Sequence, residues 1–320
     1  MGKYNNERQL DLFAVDDSAE SKDKHAGYRE ALEKILAETE DFRLLERVPI
    51  TKTDIQLPYR LSEKVGDEVT LIILDTETTG LSHEVDVIIE LGMVEVSYSP
   101  SEKRLVSIDR IFAEYEDPGR PIPKEITDIT GISDGDVKGQ KINNQAVMSF
   151  FERADLIIAH NAGFDRPMFE KRFPGFESKR WACSLKGIDW NQFGISNHRQ
   201  EELLFGIGYF YEAHRASIDC LALVWFLHKR PDIFANLLAN VEKNSIIVRA
   251  FGAPFEAKDS LKGRGYRWQD GSGGANKHWW KEIPEEILSE EKAFLDELYT
   301  LGSEKASFIA CSAENRFKRR

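Results

Sequence analysis

Four carboxylates and one histidine stand in three separated blocks of this chain: Asp75 and Glu77 in LIILDTETTG, Asp165 in LIIAHNAGFD, and His214 with Asp219 in HRASIDCLAL. Each block adjoins a hydrophobic run that a fold would bury, so the acids fall where ionised groups are costly. Hard divalent cations, which take oxygen ligands, are the natural neutralisers of such a cluster. A pair of them clamps the attacking and leaving oxygens of a phosphoryl displacement. A histidine titrating near neutrality suits removal of a proton from water. Together these residues point to two-metal phosphodiester hydrolysis.

Three elements must bring the acids together. Leu71 to Leu74 is a short apolar run with β-branched members, followed by Thr79-Gly80, and reads as a central strand ending in a turn. Side chains two apart on a strand share a face, so Asp75 and Glu77 project together from its carboxyl end. Leu156 to Ala159 repeats the strand pattern; Asn161-Ala162-Gly163 then turns the chain, and Asp165 precedes a helix in RPMFEKRF. Ala216, Asp219, Leu223 and Phe226 follow helical spacing, which places Asp219 on the stripe that faces the sheet, with His214 just before the helix. The three segments are expected to converge at one edge of a sheet. Taken singly, each has a plain structural reading: a solvated turn, a helix N-terminal acid, a surface histidine. Glu90 in VIIELGMVEV either approaches the site or is satisfied by neighbouring backbone, and His160 is expected to order its loop.

In order and spacing the blocks resemble the DEDDh family of 3′→5′ exonucleases, which includes the proofreading epsilon subunit of bacterial replicative polymerases. DTETTG resembles the family's first motif, HNAGFD its second, and HRASID its third, with histidine where a sister branch has tyrosine. ITDITGISDGDV resembles the connector near the terminal nucleotide. The resemblance spans residues 69–229 and implies an RNase H-like α/β core with a mixed central sheet flanked by helices. It further implies two Mg²⁺ or Mn²⁺ ions, bridged by Asp75, with Glu77 and Asp219 completing the shell of one and Asp165 holding the other. His214 is the implied base, and the implied product is a 5′-mononucleotide. Thr78, Thr130 and Asn161 are candidate substrate contacts, the last two with local turn capping as the alternative.

Composition frames this core. The chain has 320 residues, longer than one typical domain, and 41% hydrophobic content. Cys183, Cys220 and Cys311 are widely spaced, which indicates neither a disulfide framework nor a zinc ribbon. The polar amino terminus lacks a signal-peptide core, so the expected location is cytoplasmic, with no membrane partner. The net charge of −12 is unlike a broad nucleic-acid footprint. An enzyme gripping a few terminal nucleotides does not require one.

The flanks carry further expectations. Residues 1–24 have the composition of a disordered tail, yet include Gln9, Leu10, Asp11, Leu12 and Phe13, which closely resemble the bacterial sliding-clamp-binding motif. Tethering to a clamp would supply a high effective DNA concentration. Residues 25–66 read as a helix over His25 to Val48, packing through its apolar face, and a connector. The exonuclease domain is expected over 67–232, a small α+β module over 241–300, and a tail over 301–320. Within 241–283 there are 8 Lys+Arg against 5 Asp+Glu, and Tyr266, Trp268, Trp279 and Trp280 lie among Lys262, Arg264, Arg267 and Lys277. That interleaving suits either a small core or single-strand binding. The leading reading is a metal-dependent 3′→5′ DNA exonuclease in replication fidelity or repair. It acts on DNA 3′ ends, preferentially single-stranded, with the clamp and a replicative polymerase or repair factors as partners. An RNA exonuclease and a non-catalytic clamp-bound adaptor are the alternatives.

Overall fold

The computed structural model describes residues 30–38, 40–52, 55–271 and 276–318. The Gln9 to Phe13 segment lies outside the described residues. The chain divides into two compact units, Met1–Glu46 and Arg47–Arg320. In the first, residues 30–37 are helical. The helix expected to reach Val48 ends there, where Glu38, Glu40 and Asp41 place negative charge at the carboxyl end of the macrodipole.

The second unit is built on a six-stranded mixed sheet. Its strands are β1 (Tyr59–Arg60), β2 (Val69–Thr78), β3 (Ile88–Ser99), β4 (Arg104–Tyr115), β5 (Leu156–Ala159) and β6 (Trp181–Cys183), in the order β1-β4-β3-β2-β5-β6. β2 pairs antiparallel with β3 and parallel with β5. The parallel pairing spans only Leu71–Ile73 against Leu156–Ile158, whereas the antiparallel pairing continues to Thr78. The strand therefore outruns the apolar segment seen in the sequence, and its last residues are open on one side. That opening is the crevice at strand carboxyl ends where α/β folds place their sites.

Alternation along β2 feeds two cores. Leu71 and Ile73 face a cluster that includes Cys220, Leu223, Val224 and Phe226 of helix α5 (Ala216–Lys229). Ile72 and Leu74 face another that includes Phe150 and Phe151 of α2 (Asn144–Arg153) and Met168 and Phe169 of α3 (Ala162–Arg172). Helix α5 is apolar almost all round because it is enclosed, with α4 (Gln200–Gly206) and α6 (Pro231–Val241) contributing to the same core. The preceding α1 (Lys124–Thr130) closes on Gly131 in the left-handed conformation.

Past α6 the chain forms a four-stranded antiparallel sheet. Its strands are β7 (Ser245–Ala250), β8 (Arg267–Gln269), β9 (His278–Pro284) and β10 (Ser307–Cys311), ordered β8-β9-β7-β10. Helices α7 (Lys258–Gly263) and α8 (Leu288–Leu298) supply Leu261 and Leu295 to its core. Residues 301–320, expected as a tail, instead contain the edge strand β10. Beyond it, the carbonyls of Glu314 and Arg316 accept from the fully buried Arg166 at 2.6 and 2.7 Å. Buried guanidinium donors need acceptors, and the chain end provides them. No helix among the described residues is long and apolar enough to cross a membrane.

Candidate active site

Asp75 and Glu77 lie at the carboxyl end of β2, two residues apart on the same face. Asp219 lies in the first turn of α5, which packs on that face. Carboxylate oxygens of the three fall within 4.8 Å of one another. The close approach of α5 depends on Gly92, the register partner of Asp75 on β3. A Cβ there would sit 2.3 Å from the Ala216 carbonyl carbon and 2.4 Å from Ser217 N, so any side chain would push the helix away. The ladder between β2 and β3 also slips between Glu77 and Thr78, a bulge of the kind that re-aims side chains beside sites.

Asp165 arrives from the opposite layer. Asn161, at φ +83°, reverses the chain in one residue, so Ala162 and Gly163, expected as a turn, already belong to α3. Buried Ala162 anchors that first turn in the core. Asp165 is buried and accepts from Thr76 Oγ1 at 2.9 Å and Thr76 N at 3.2 Å. The structure thus gathers three acids into one group and braces the fourth across the strand, close enough for its charge to act on Asp75.

The electrostatics are those of a cluster lacking positive charge. Burial, then repulsion from Asp165, Asp219, Glu77 and Glu90, pushes the Asp75 carboxyl well above its ordinary range. Burial and the neighbouring acids raise Glu77 to about 8, with Arg215 opposing. Burial raises Asp165 to about 7 against the pull of the Thr76 hydrogen bonds. Asp219 rises to about 6 through burial, offset by Tyr211 and the Arg215 backbone. An all-carboxylate donor set with unmet negative charge fits hard divalent cations such as Mg²⁺ or Mn²⁺.

Asp219 is held by partners that sequence reasoning missed. Tyr211 OH donates to Oδ1 at 2.9 Å and Arg215 N to Oδ2 at 3.0 Å. Gln200 Nε2 donates to Tyr211 OH at 3.0 Å and to the Asp219 carbonyl at 2.9 Å. Glu90, the partner of Glu77 across the ladder, is buried and accepts from Ala216 N and Arg215 Nη2, each at 3.0 Å. It ties the start of α5 to the sheet. In the sequence only the spacing of Tyr211 and Arg215 around Asp219 hinted at such roles.

The remaining candidates divide. His214 is exposed in a left-handed conformation at φ +70°, next to Arg215 and ahead of α5. Thr130 is buried, donating to the Ile126 carbonyl and accepting from Ile132 N. Thr78 Oγ1 donates to the Gly80 carbonyl at 2.6 Å. Both hydroxyls serve their own turns. Asn161 makes no side-chain cap to α3, which leaves its amide for other partners. His160 binds Ser184 Oγ and the His198 carbonyl through its two ring nitrogens, each at 2.9 Å, and burial depresses it to about 4. It orders its loop.

The RNase_T exonuclease family matches residues 72–184. Among curated proteins, the PolC-type DNA polymerase III of Streptococcus mutans is 34% identical over 143 residues, which is 44% of this chain and 9% of that protein. The PolC-type enzyme of Listeria monocytogenes is 38% identical over 186 residues, or 55% and 12%. The chain thus spans only 9% and 12% of the length of these relatives. Among solved structures, an exonuclease X complex with 5′-overhanging duplex DNA is 24% identical, covering 52% of this chain and 91% of that one, at a TM-score of 0.39. Escherichia coli exonuclease I with a dA16 oligonucleotide is 17% identical, covering 74% and 69%, at 0.42. The family match falls on the strands and helix that carry Asp75, Glu77 and Asp165, and Asp219 completes the set from α5. By that match and those acids, residues 72–184 carry a DEDDh-like 3′→5′ exonuclease domain on a mixed α/β fold.

Proposed function

We propose that this chain is a metal-dependent 3′→5′ DNA exonuclease that releases 5′-mononucleotides. The observation that carries the reading is the convergence of Asp75, Glu77 and Asp219 within 4.8 Å. Asp75, Glu77 and Asp219 would hold one divalent cation, and Asp165, beside Asp75, would hold a second. Bound there, such a pair would supply Lewis-acid stabilisation of the attacking and leaving oxygens. Tyr211, Gln200 and the Arg215 amide orient the Asp219 carboxylate, and Thr76 orients Asp165. His214, exposed where the third block enters α5, takes a proton from the attacking water as the P–O bond to the terminal nucleotide breaks. The leaving 3′ oxygen on the shortened strand regains a proton from solvent.

The test is digestion of 3′-labelled DNA and matched RNA with Mg²⁺, alongside Asp75→Ala. Stepwise loss of nucleotides from DNA, absent in the variant, is the expected result. Equal digestion by the variant overturns the assignment, and faster digestion of RNA overturns the choice of substrate.

Clamp tethering rests on Gln9, Leu10, Asp11, Leu12 and Phe13. An apolar pair in an otherwise polar segment suits a hydrophobic groove. A peptide of residues 5–16 should bind a bacterial sliding clamp, and Leu12→Ala with Phe13→Ala should remove that binding while activity on short oligonucleotides persists. Undiminished binding by the double variant refutes the tether.

A further inference from the structure

The four-stranded sheet has two unlike faces. Ile246, Val248, Ala250, Trp279 and Ile283 share one, packed with Leu261 of α7 and Leu295 of α8. The opposite face carries a row of register partners, one from each strand in spatial order: Arg267, Trp280, Arg249 and Ser307. Neighbouring strands lie about 4.8 Å apart, so Trp280 has an arginine as its register partner on either side. The guanidinium of Arg267 stands 5.7 Å from the ring centroid. Arg267 is exposed, and Arg249 and Trp280 are partly so.

Charge on this face is unbalanced. Neither Arg249 nor Arg267 has a carboxylate partner among the described residues. Glu282, two residues from Trp280 on the same face, is engaged by Ser245 Oγ and lies 3.6 Å from Arg316 Nε. Three other basic and aromatic residues of the segment are employed differently. Arg264 is paired with Glu290 and Glu291, and Tyr266 and Trp279 are core. In a chain of net charge −12, an aromatic ring between two unpaired arginines is complementary to one kind of polymer: phosphates regularly spaced, with bases free to stack.

We propose that this face binds single-stranded DNA, with Trp280 stacking on a base and Arg249 and Arg267 meeting flanking phosphates. The site is separate from the acid cluster and goes beyond the hydrolytic reading. A duplex keeps its base faces stacked away from such a ring, so single strands are the fitting occupant.

The test is fluorescence anisotropy of the full chain with a labelled oligothymidylate in EDTA, which prevents hydrolysis. Trp280→Ala should weaken binding about tenfold or more. Arg249→Ala with Arg267→Ala should flatten the dependence of log K on log salt by roughly 0.7 per lost phosphate contact. Trp268→Ala, on the other face, should leave affinity unchanged. All variants should hydrolyse the p-nitrophenyl ester of thymidine 5′-monophosphate with Mn²⁺ like wild type, since that substrate needs only the acid cluster. Wild-type failure on the ester would sink the proposed function without touching the sheet. Unaltered affinity and salt slope, or equal binding of blunt duplex, overturns the site. Should Trp280→Ala lose its fold by circular dichroism, the arginine pair decides.

Discussion

Two buried acidic centres in this molecule are completed in opposite ways. In the carboxyl-terminal module Glu291 is fully buried, yet it accepts from Arg264 Nε at 3.0 Å and Tyr266 OH at 2.7 Å, with Lys281 Nζ at 3.9 Å. In the six-stranded sheet Glu95 is likewise closed off by Arg110 and Arg153. At the end of β2, by contrast, Asp75 and Glu77 face other acids, and the nearby Arg215 is held by Glu90. A chain that neutralises Glu95 and Glu291 internally leaves this group, among the described residues, with charge that an external cation would meet. Unmet charge, more than acidity, marks the site.

The largest expected effect probes what that unmet charge is for. Asp219→Ala should reduce hydrolysis to background, because it removes a proposed ligand and the group that Tyr211 and Arg215 hold in place. His214→Ala should retain more activity, falling by about 10²–10⁴-fold as expected for loss of a general base. Steady-state release of nucleotides from 3′-labelled DNA measures both. A His214 variant as inactive as Asp219→Ala would move the histidine from proton transfer into the structural support of the acids.

Much of this centre was legible in the sequence, and the reason is local. Leu71–Leu74, Leu156–Ala159 and the 216–226 spacing each declare their element within a few residues, so the acids next to them could be placed. What was hidden depends on partners distant in sequence. β2 runs on to Thr78 because β3 keeps pairing with it. Thr76 reads as strand filler until Asp165 arrives beneath it. Gly92 shows its purpose only against the backbone of Ala216. The same holds at the chain end, where Ser307–Cys311 becomes a strand through pairing with β7. The helix over 25–48 failed for a different reason: the apolar spacing continued while acids gathered at residues 38–41.

A middle-sized effect sets the two centres against each other in stability. Glu291→Gln should destabilise the protein by about 1–3 kcal/mol, since it weakens charge-assisted bonds inside the module. Asp75→Asn should do the reverse in EDTA at pH 8, raising Tm by a few degrees at about 2 °C per kcal/mol, because it deletes a repelling charge. The sign follows from linkage. Glu77, Asp165 and Asp219 have folded values of about 8, 7 and 6, above their ordinary 4.5, 3.8 and 3.8. Groups raised on folding contribute stability that is complete below the ordinary values and is lost as pH rises through the folded ones. Without cations, Tm should therefore fall between pH 4 and 8 more steeply in wild type than in Asp75→Asn. Mn²⁺ at a concentration a hundredfold above its Kd at pH 8 should restore about 2.7 kcal/mol there, and the same concentration less at pH 5, where protonated carboxylates ligate poorly. Differential scanning calorimetry across that range would break the comparison if both substitutions shifted Tm the same way.

The smallest effect asks how far the support of the acid centre extends. Tyr211→Phe keeps the ring in its buried place and deletes only the hydroxyl that donates to Asp219 Oδ1. Arg215 N still holds Oδ2 and Gln200 still reaches the Asp219 carbonyl. The carboxylate should therefore stay near its place but loosen, at a cost of about 10-fold in metal affinity, the low end for removing a residue that orients a ligand. That loss should appear as a higher Mn²⁺ concentration for half-maximal hydrolysis, with the rate recovering at saturation. Glu291 has an analogous tyrosine in Tyr266, and Tyr266→Phe should leave the Mn²⁺ requirement unchanged while lowering Tm by an amount typical of one lost hydrogen bond, about 1 kcal/mol. A Tyr211 variant that lost maximal rate without any change in Mn²⁺ requirement would mean that the hydroxyl serves the substrate, and the parallel between the two tyrosines would end there.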